Sequence, residues 1–310
     1  MVGTMERIKK AGDAAPERVH LFYRWMKLRH GHVRTGVPTW PAGHYYSPLP
    51  SIDDIELCAA QPRSAFDVPG VDLAIDDQIS LAVALEPSMA DLDFPASRTK
   101  ARRYWYANDF FELSDALVLG GLMRHFATKR VIEIGSGFSS ACMLDVSERF
   151  MDNAVEFTFV EPFPDDRLRP LLRTADKARV ELLDVQVQTL DPLVFDRLDE
   201  GDILLIDSSH VTKYGNDVNY LFFEVLPRLQ PGVLVHVHDV HPGFEYPIEW
   251  VRKLWGWNEA YLLRSFLTFN YDYRTLMHAA LLQSDPQLRR KLPKVLGDAG
   301  PGGSFWMIRN

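Results

Sequence analysis

From Arg130 onward, short apolar runs rich in β-branched residues alternate with segments whose apolar positions recur at helical spacing. The runs are Arg130–Ile134, Val155–Val160, Val180–Leu183, Ile203–Ile206 and Val233–Val237. Between them Ser139–Phe150, Asp165–Thr174, Pro192–Leu198 and Asp217–Leu229 read as helices. Such alternation predicts βαβ units and a parallel sheet covered on both faces. Pro231-Gly232 stops the helix that ends near Leu229 before the next strand. Thr275–Leu282 and Ser304–Ile308 supply two last strands, suited to an edge hairpin, and the turn Gly297–Gly303 leads into the second.

The first third has another character. His20–Leu28 carries apolar residues at helical spacing, and Gly36–Pro50 is a loop rich in Gly, Pro and aromatics, including Tyr45-Tyr46-Ser47-Pro48. Aromatics at that density need a packing surface, so the loop is expected to be ordered. Ile75–Leu85 reads as a helix that Pro87–Pro95 breaks, and Ser114–Phe126 as another with Ser114 or Asp115 at its start. The expected division is an extension of helices and loops over residues 1–100, serving as lid or homo-oligomer contact, and an α/β domain over 101–310.

Composition narrows the classes. A 310-residue chain with 46% hydrophobic residues can bury a large core. A net charge of -8 argues against general affinity for nucleic acid or anionic membrane. Cys58 and Cys142 lie far apart without a Cys–His cluster, which disfavours a disulfide framework or zinc site and suits a reducing, cytoplasmic setting. Met1–Arg18 has no apolar run of the secretory kind, and no apolar stretch approaches the roughly 20 residues needed to cross a bilayer.

Chemistry concentrates where strands end. Val131–Ser140 is a strand, a Gly135-Ser136-Gly137 turn and a helix start, where backbone can approach a ligand closely and free N–H groups point outward. Glu133 lies inside that strand, and Ser140 stands where a dinucleotide fingerprint has its third glycine. Glu161 ends the second strand, placed to accept both hydroxyls of a ribose. Asp184 ends the third, where an adenine amino group would lie; a solvated loop acid explains it nearly as well.

Glu133-x-Gly-x-Gly, Glu161 and the order of elements resemble the class I S-adenosylmethionine (SAM)-dependent methyltransferases, from roughly Tyr104 to the C-terminus. The resemblance implies an α/β, Rossmann-like, doubly wound and mostly parallel sheet with a C-terminal antiparallel edge hairpin, beside the N-terminal extension. It implies that Glu133, Gly135, Ser136, Gly137, Ser139, Glu161 and Asp184 bind SAM, joined by Asp207 and by Tyr106 and Asn108 of the aromatic segment Arg102–Phe111.

Asp207-Ser208-Ser209-His210 and His236-Val237-His238-Asp239 follow the fourth and fifth strands, at the sheet end where ligands of open α/β sheets bind. Two neighbouring aspartates suit Mg²⁺. The pattern is similar to that of metal-assisted sugar and natural-product O-methyltransferases, which implies Asp207, His238 and Asp239 as ligands of Mg²⁺ or another divalent cation and His210 as general base, with Asp207 also catalytic. The family pattern has a carboxylate where His238 stands, and imidazole suits Mn, Fe or Zn better. His236 reads as a core histidine on the same strand face. Phe244–Trp257 would wall a pocket for a small-molecule acceptor, although core packing accounts for most such aromatics, and Tyr246 stands out there with Tyr106 and Asn108. Competing readings are a metal-independent N- or phenol-O-methyltransferase, an NAD-dependent oxidoreductase, disfavoured by Glu133 and the missing third glycine, and a non-catalytic SAM-binding protein.

Overall fold

The computed structural model describes residues 39–61 and 63–310. The chain divides into compact units between Ile52 and Asp53. The described part of the first, residues 39–52, is rich in turns, with Trp40, His44, Tyr45 and Tyr46 in mutual ring contact. The helix expected at His20–Leu28 lies outside the described residues.

The second unit is built on a seven-stranded sheet. Its strands are β1 (Arg130–Ile134), β2 (Glu156–Val160), β3 (Val180–Leu183), β4 (Ile203–Ile206), β5 (Leu234–Val237), β6 (Tyr273–Met277) and β7 (Phe305–Arg309), in the order β3-β2-β1-β4-β5-β7-β6. The first five are parallel, and β7 inserts antiparallel between β5 and β6. Alternation within each strand sends side chains to opposite faces. Val131, Ile203 and Leu205 join one apolar core with helices α1 (Ile75–Ala90), α2 (Leu113–His125) and α3 (Phe138–Phe150). Ile132, Ile134, Leu204 and Ile206 join the other, with α4 (Asp217–Tyr220, continuing as a π-turn through Val225) and α5 (Glu259–Leu267). The sheet is therefore covered on both sides, as its largely apolar central strands require.

Three expectations need correction. Asp165–Thr174 is a chain of turns, not a helix, because Pro170 brings no N–H and crowds the preceding turn; only Thr174–Ala178 forms a short 3₁₀ helix. Pro87 does not break α1, which runs on to Ala90. The carbonyl that Pro87 leaves without its helical partner is that of Val83, which is exposed and can be hydrated. The strand expected at Thr275–Leu282 leaves the sheet at Met277, where His278 donates its backbone N–H to Gln78 Oε1 at 2.7 Å and a helix, Ala279–Ser284, begins.

Parallel pairing continues one step past each strand. Glu161 N–H donates to Leu183 O, Gly135 N–H to Val160 O, Asp207 N–H to Ile134 O and His238 N–H to Ile206 O. Four chemically loaded positions thus stand level along one rim of the sheet.

Candidate active site

The turn after β1 is shaped by a close approach. Gly135 has φ +78°, and a Cβ there would lie 1.8 Å from the carbonyl oxygen of Asp207, so only glycine lets the β1 and β4 tips meet. Glu133 is fully buried beneath the turn; it accepts from the Ser139 hydroxyl at 2.5 Å and from the Ser140 hydroxyl. Ser140 Oγ in turn accepts from Gly137 N–H at 2.9 Å. Burial raises the Glu133 carboxyl to about 8, against the lowering effect of the serine hydroxyls. Glu133 and Ser139 therefore brace the turn from within.

Glu161 accepts from the backbone N–H groups of Ser136 at 3.1 Å and Phe163 at 2.7 Å. It opens on a cavity of about 540 Å³ lined by Trp105, Phe110, Ser136, Phe138 and Arg167 among others. Phe110 stacks on Phe138 at 5.8 Å, and the Arg167 guanidinium lies 3.7 Å from the Phe110 ring centroid. The segment carrying Trp105 and Phe110 is held by Arg103, which is buried and paired with Asp145 at 2.8 Å, Asp176 at 2.6 Å and Glu148 at 2.7 Å. Asn108 is occupied inside the same segment, donating to the Trp105 and Phe111 carbonyls and accepting from the Phe110 and Phe111 amides. Tyr106 is half exposed and its amide bonds Pro95 O. Asp184 pairs with Arg169 at 3.1 Å in a solvent-facing position and is not among the residues that line the cavity.

At the β4 and β5 tips the side chains converge. Asp207, His210 and Asp239 bring one donor atom each within 4.8 Å of the others. His210 Nε2 lies 3.3 Å from Asp207 Oδ1 and 3.4 Å from Asp239 Oδ2. His210 and Asp239 both adopt left-handed backbone, φ +58° and +56°, a costly conformation for these residues that the surroundings must enforce. The enforcement at His210 is visible. Its N–H donates to Ser208 Oγ, and its carbonyl accepts the amides of Asn258 and Glu259 at the start of α5. Its Nδ1 lies 3.0 Å from Glu259 Oε2.

Glu259 is buried, also accepts from the Ser208 hydroxyl, and leaves Oε1 without a partner. Tyr246 supports it by accepting the Ala260 amide on its hydroxyl at 3.0 Å. Burial favours neutral His210, but the hydrogen bonds to Asp207 and Glu259 outweigh it and hold the imidazole well above its ordinary range. Burial likewise opposes the charge of Asp207, and His210 with the neighbouring histidines overcomes it, so the carboxyl is lowered.

His238 is not in this group. Its Nε2 lies 3.2 Å from Phe110 O and its Nδ1 3.3 Å from His236 Nε2. A carbonyl only accepts, so Nε2 carries a proton. Burial opposes charge on His238, but Asp207 and Asp239 raise its pKa, whereas burial keeps His236 neutral. His236 Nδ1 has no hydrogen-bond partner, and its ring packs beside Phe111 and Trp306.

Sequence reasoning missed Glu259, Trp105, Phe110 and Arg167. Glu259 stands 49 positions beyond His210 with no motif around it. The aromatic content of Arg102–Phe111 was a usable signal for Trp105 and Phe110.

A family profile described as a methyltransferase domain matches residues 132–240. An uncharacterized protein of Archaeoglobus fulgidus is 32% identical over 169 residues, 53% of this chain and 76% of its own length. Among solved structures, one described as cmcI-D160 Mg-SAM is 16% identical, covering 64% of this chain and 71% of its own, with a TM-score of 0.38. The mitomycin 7-O-methyltransferase MmcR is 15% identical, covering 63% and 56%, with a TM-score of 0.36. From β1 through the tip of β5, which is the stretch the profile matches, this chain belongs to the class I SAM-dependent methyltransferase family.

Proposed function

We propose that the protein transfers the SAM methyl group to a hydroxyl of a small-molecule acceptor, with His210 as general base. The observation that carries this reading is the His210 imidazole, fixed by Glu259 on one nitrogen and presenting the other to Asp207 and Asp239. SAM supplies an electrophilic methyl, so the protein's tasks are alignment and deprotonation. Glu161, the Gly135–Gly137 turn and the aromatic walls around them would hold the cofactor, in a cavity of nucleoside size. Asp207 sits where this turn meets the β4 tip and so faces both the cofactor and the acceptor sides. His210 accepts the hydroxyl proton at Nε2, and Glu259 stabilises the imidazolium that results.

A second reading rests on the same atoms. Two carboxylates and an imidazole with a carboxylate behind it form a donor set suited to a divalent ion. Asp207, His210 and Asp239 would hold it; once bound, such an ion lowers the pKa of a coordinated hydroxyl. In that case His210 is a ligand, not the base.

Turnover against pH and chelator separates the two. With His210 as base, EDTA leaves turnover unchanged. The neighbouring carboxylates keep the imidazole protonated, so the base form appears only as pH rises and kcat climbs through an apparent pKa above about 6.5. His210→Ala then loses about 10²- to 10⁴-fold in kcat while binding S-adenosylhomocysteine normally. Full turnover by His210→Ala at saturating SAM would exclude the base, and loss with EDTA restored by Mg²⁺ or Mn²⁺ would select the metal reading.

A further inference from the structure

Three of the chain's seven tryptophans fall within residues 250–257. They form one group: Trp250 and Trp255 stack at 5.0 Å and 28°, Trp257 meets Trp250 edge-on at 5.2 Å, and Trp255 lies 4.8 Å from Trp257 at 47°. Two backbone reversals bring this about, at Leu254 (φ +55°) and Gly256 (φ +71°). The group is joined to the catalytic histidine, since the Trp257 ring lies 4.4 Å from that of His210. It is also open to solvent at its far end, where Trp255 is 43% exposed. His241, next to the Asp239 strand tip, meets Trp250 edge-on at 5.0 Å.

A core function does not account for this arrangement. None of the three rings is fully buried, and none belongs to either apolar core of the sheet. The rings run in unbroken contact from His210 to the surface, and Trp255 and Trp257 meet at 47° near its exposed end. Charged groups border the wall, with Glu245 bonded to Tyr261, Arg252 paired with Glu249, and the Lys253 ammonium 5.8 Å from the Trp255 centroid. That border suits a polar ring with an apolar face better than an acyl chain.

We propose that Trp250, Trp255 and Trp257 are the acceptor platform, and that the acceptor is a hydroxylated ring whose apolar face stacks on Trp255 and Trp257 while an edge hydroxyl reaches His210. Stacking on indole is shared by pyranose and planar aromatic rings, and the two are separated by probes. The inference rests on the methyl-transfer reading for its reacting end only.

The test uses the full chain, labelled with 5-fluorotryptophan and saturated with S-adenosylhomocysteine. Methyl β-D-glucopyranoside and catechol are titrated separately while the fluorine resonances of Trp255 and Trp257 are followed. The expected result is a saturable shift of both resonances with one probe, which names the ring type. Trp255→Leu raises that probe's Kd about five- to tenfold, Trp255→Phe restores most of the affinity, and neither changes the Kd for S-adenosylhomocysteine. Silence of the resonances to both probes, or equal probe affinity in Trp255→Leu, overturns the platform. Failure of S-adenosylhomocysteine to bind at all overturns the methyl-transfer reading instead, and calorimetry on the same sample reports it.

Discussion

The proposed cofactor side and the proposed acceptor side of the rim are made in different ways. At the β1 and β2 tips the work is done by backbone: a glycine that lets two strands meet, a helix start, and a carboxylate accepting main-chain N–H groups. At the β4 and β5 tips it is done by side chains held in costly conformations, with two left-handed non-glycine residues and an imidazole among three carboxylates. Backbone geometry recognises a constant ligand and tolerates little change. A side-chain cluster can be retuned to a new acceptor while the first half stays fixed. The difference predicts where mutations will be structural and where they will be kinetic.

The largest effect belongs to the backbone half. Gly135→Ala places a Cβ 1.8 Å from the Asp207 carbonyl and forces a positive φ on alanine. We expect unfolding in urea to show a loss of more than about 3 kcal/mol, with S-adenosylhomocysteine binding abolished. A variant of normal stability would mean that β1 and β4 do not meet as described.

Next comes the support of the side-chain half. Glu259→Gln keeps the shape but removes the charge beside His210 Nδ1. Because Glu259 raises the His210 pKa, its neutralisation moves the apparent pKa of the kcat profile downward, and kcat falls about 10- to 100-fold with KM for SAM unchanged. A drop in kcat with an unmoved pH profile would show that Glu259 matters only for folding.

These two residues also mark what could be read without a structure. Strand boundaries were legible to within one residue for β1 to β5, since buried parallel strands are largely apolar and β-branched. Gly135 and Glu161 were legible because a glycine turn after a strand and an acid at a strand tip leave a local signature. Asp207, His210 and Asp239 were legible as strand tips, and the structure gathers them. Glu259 was not, because a buried carboxylate on a helix start declares itself only when the chain folds it against a distant histidine. Asp165–Thr174 misled through its apolar spacing, which Pro170 overrides. His238 was read with Asp239 because the two are adjacent, yet beyond the end of β5 its ring turns to Phe110.

That contact joins the two halves, and it sets the smallest of the expected effects. His238 extends from the β5 tip, beside Asp239, and holds the carbonyl of Phe110, whose ring walls the cavity that Glu161 opens on. Losing one hydrogen bond costs about 0.5–1.5 kcal/mol, which corresponds to up to about tenfold in Kd. His238→Phe should therefore weaken S-adenosylhomocysteine binding by up to about tenfold in calorimetry, although the residue would not touch the ligand. His238→Gln retains an N–H donor that can reach the carbonyl and should recover most of the loss. Because both replacements change the ring contact with His236, both lower stability, and the affinity difference between them isolates the Phe110 contact from simple destabilisation. Equal affinities in the two variants would show that the aromatic wall is positioned by Arg103 and its carboxylates alone, and that the halves of the rim are independent.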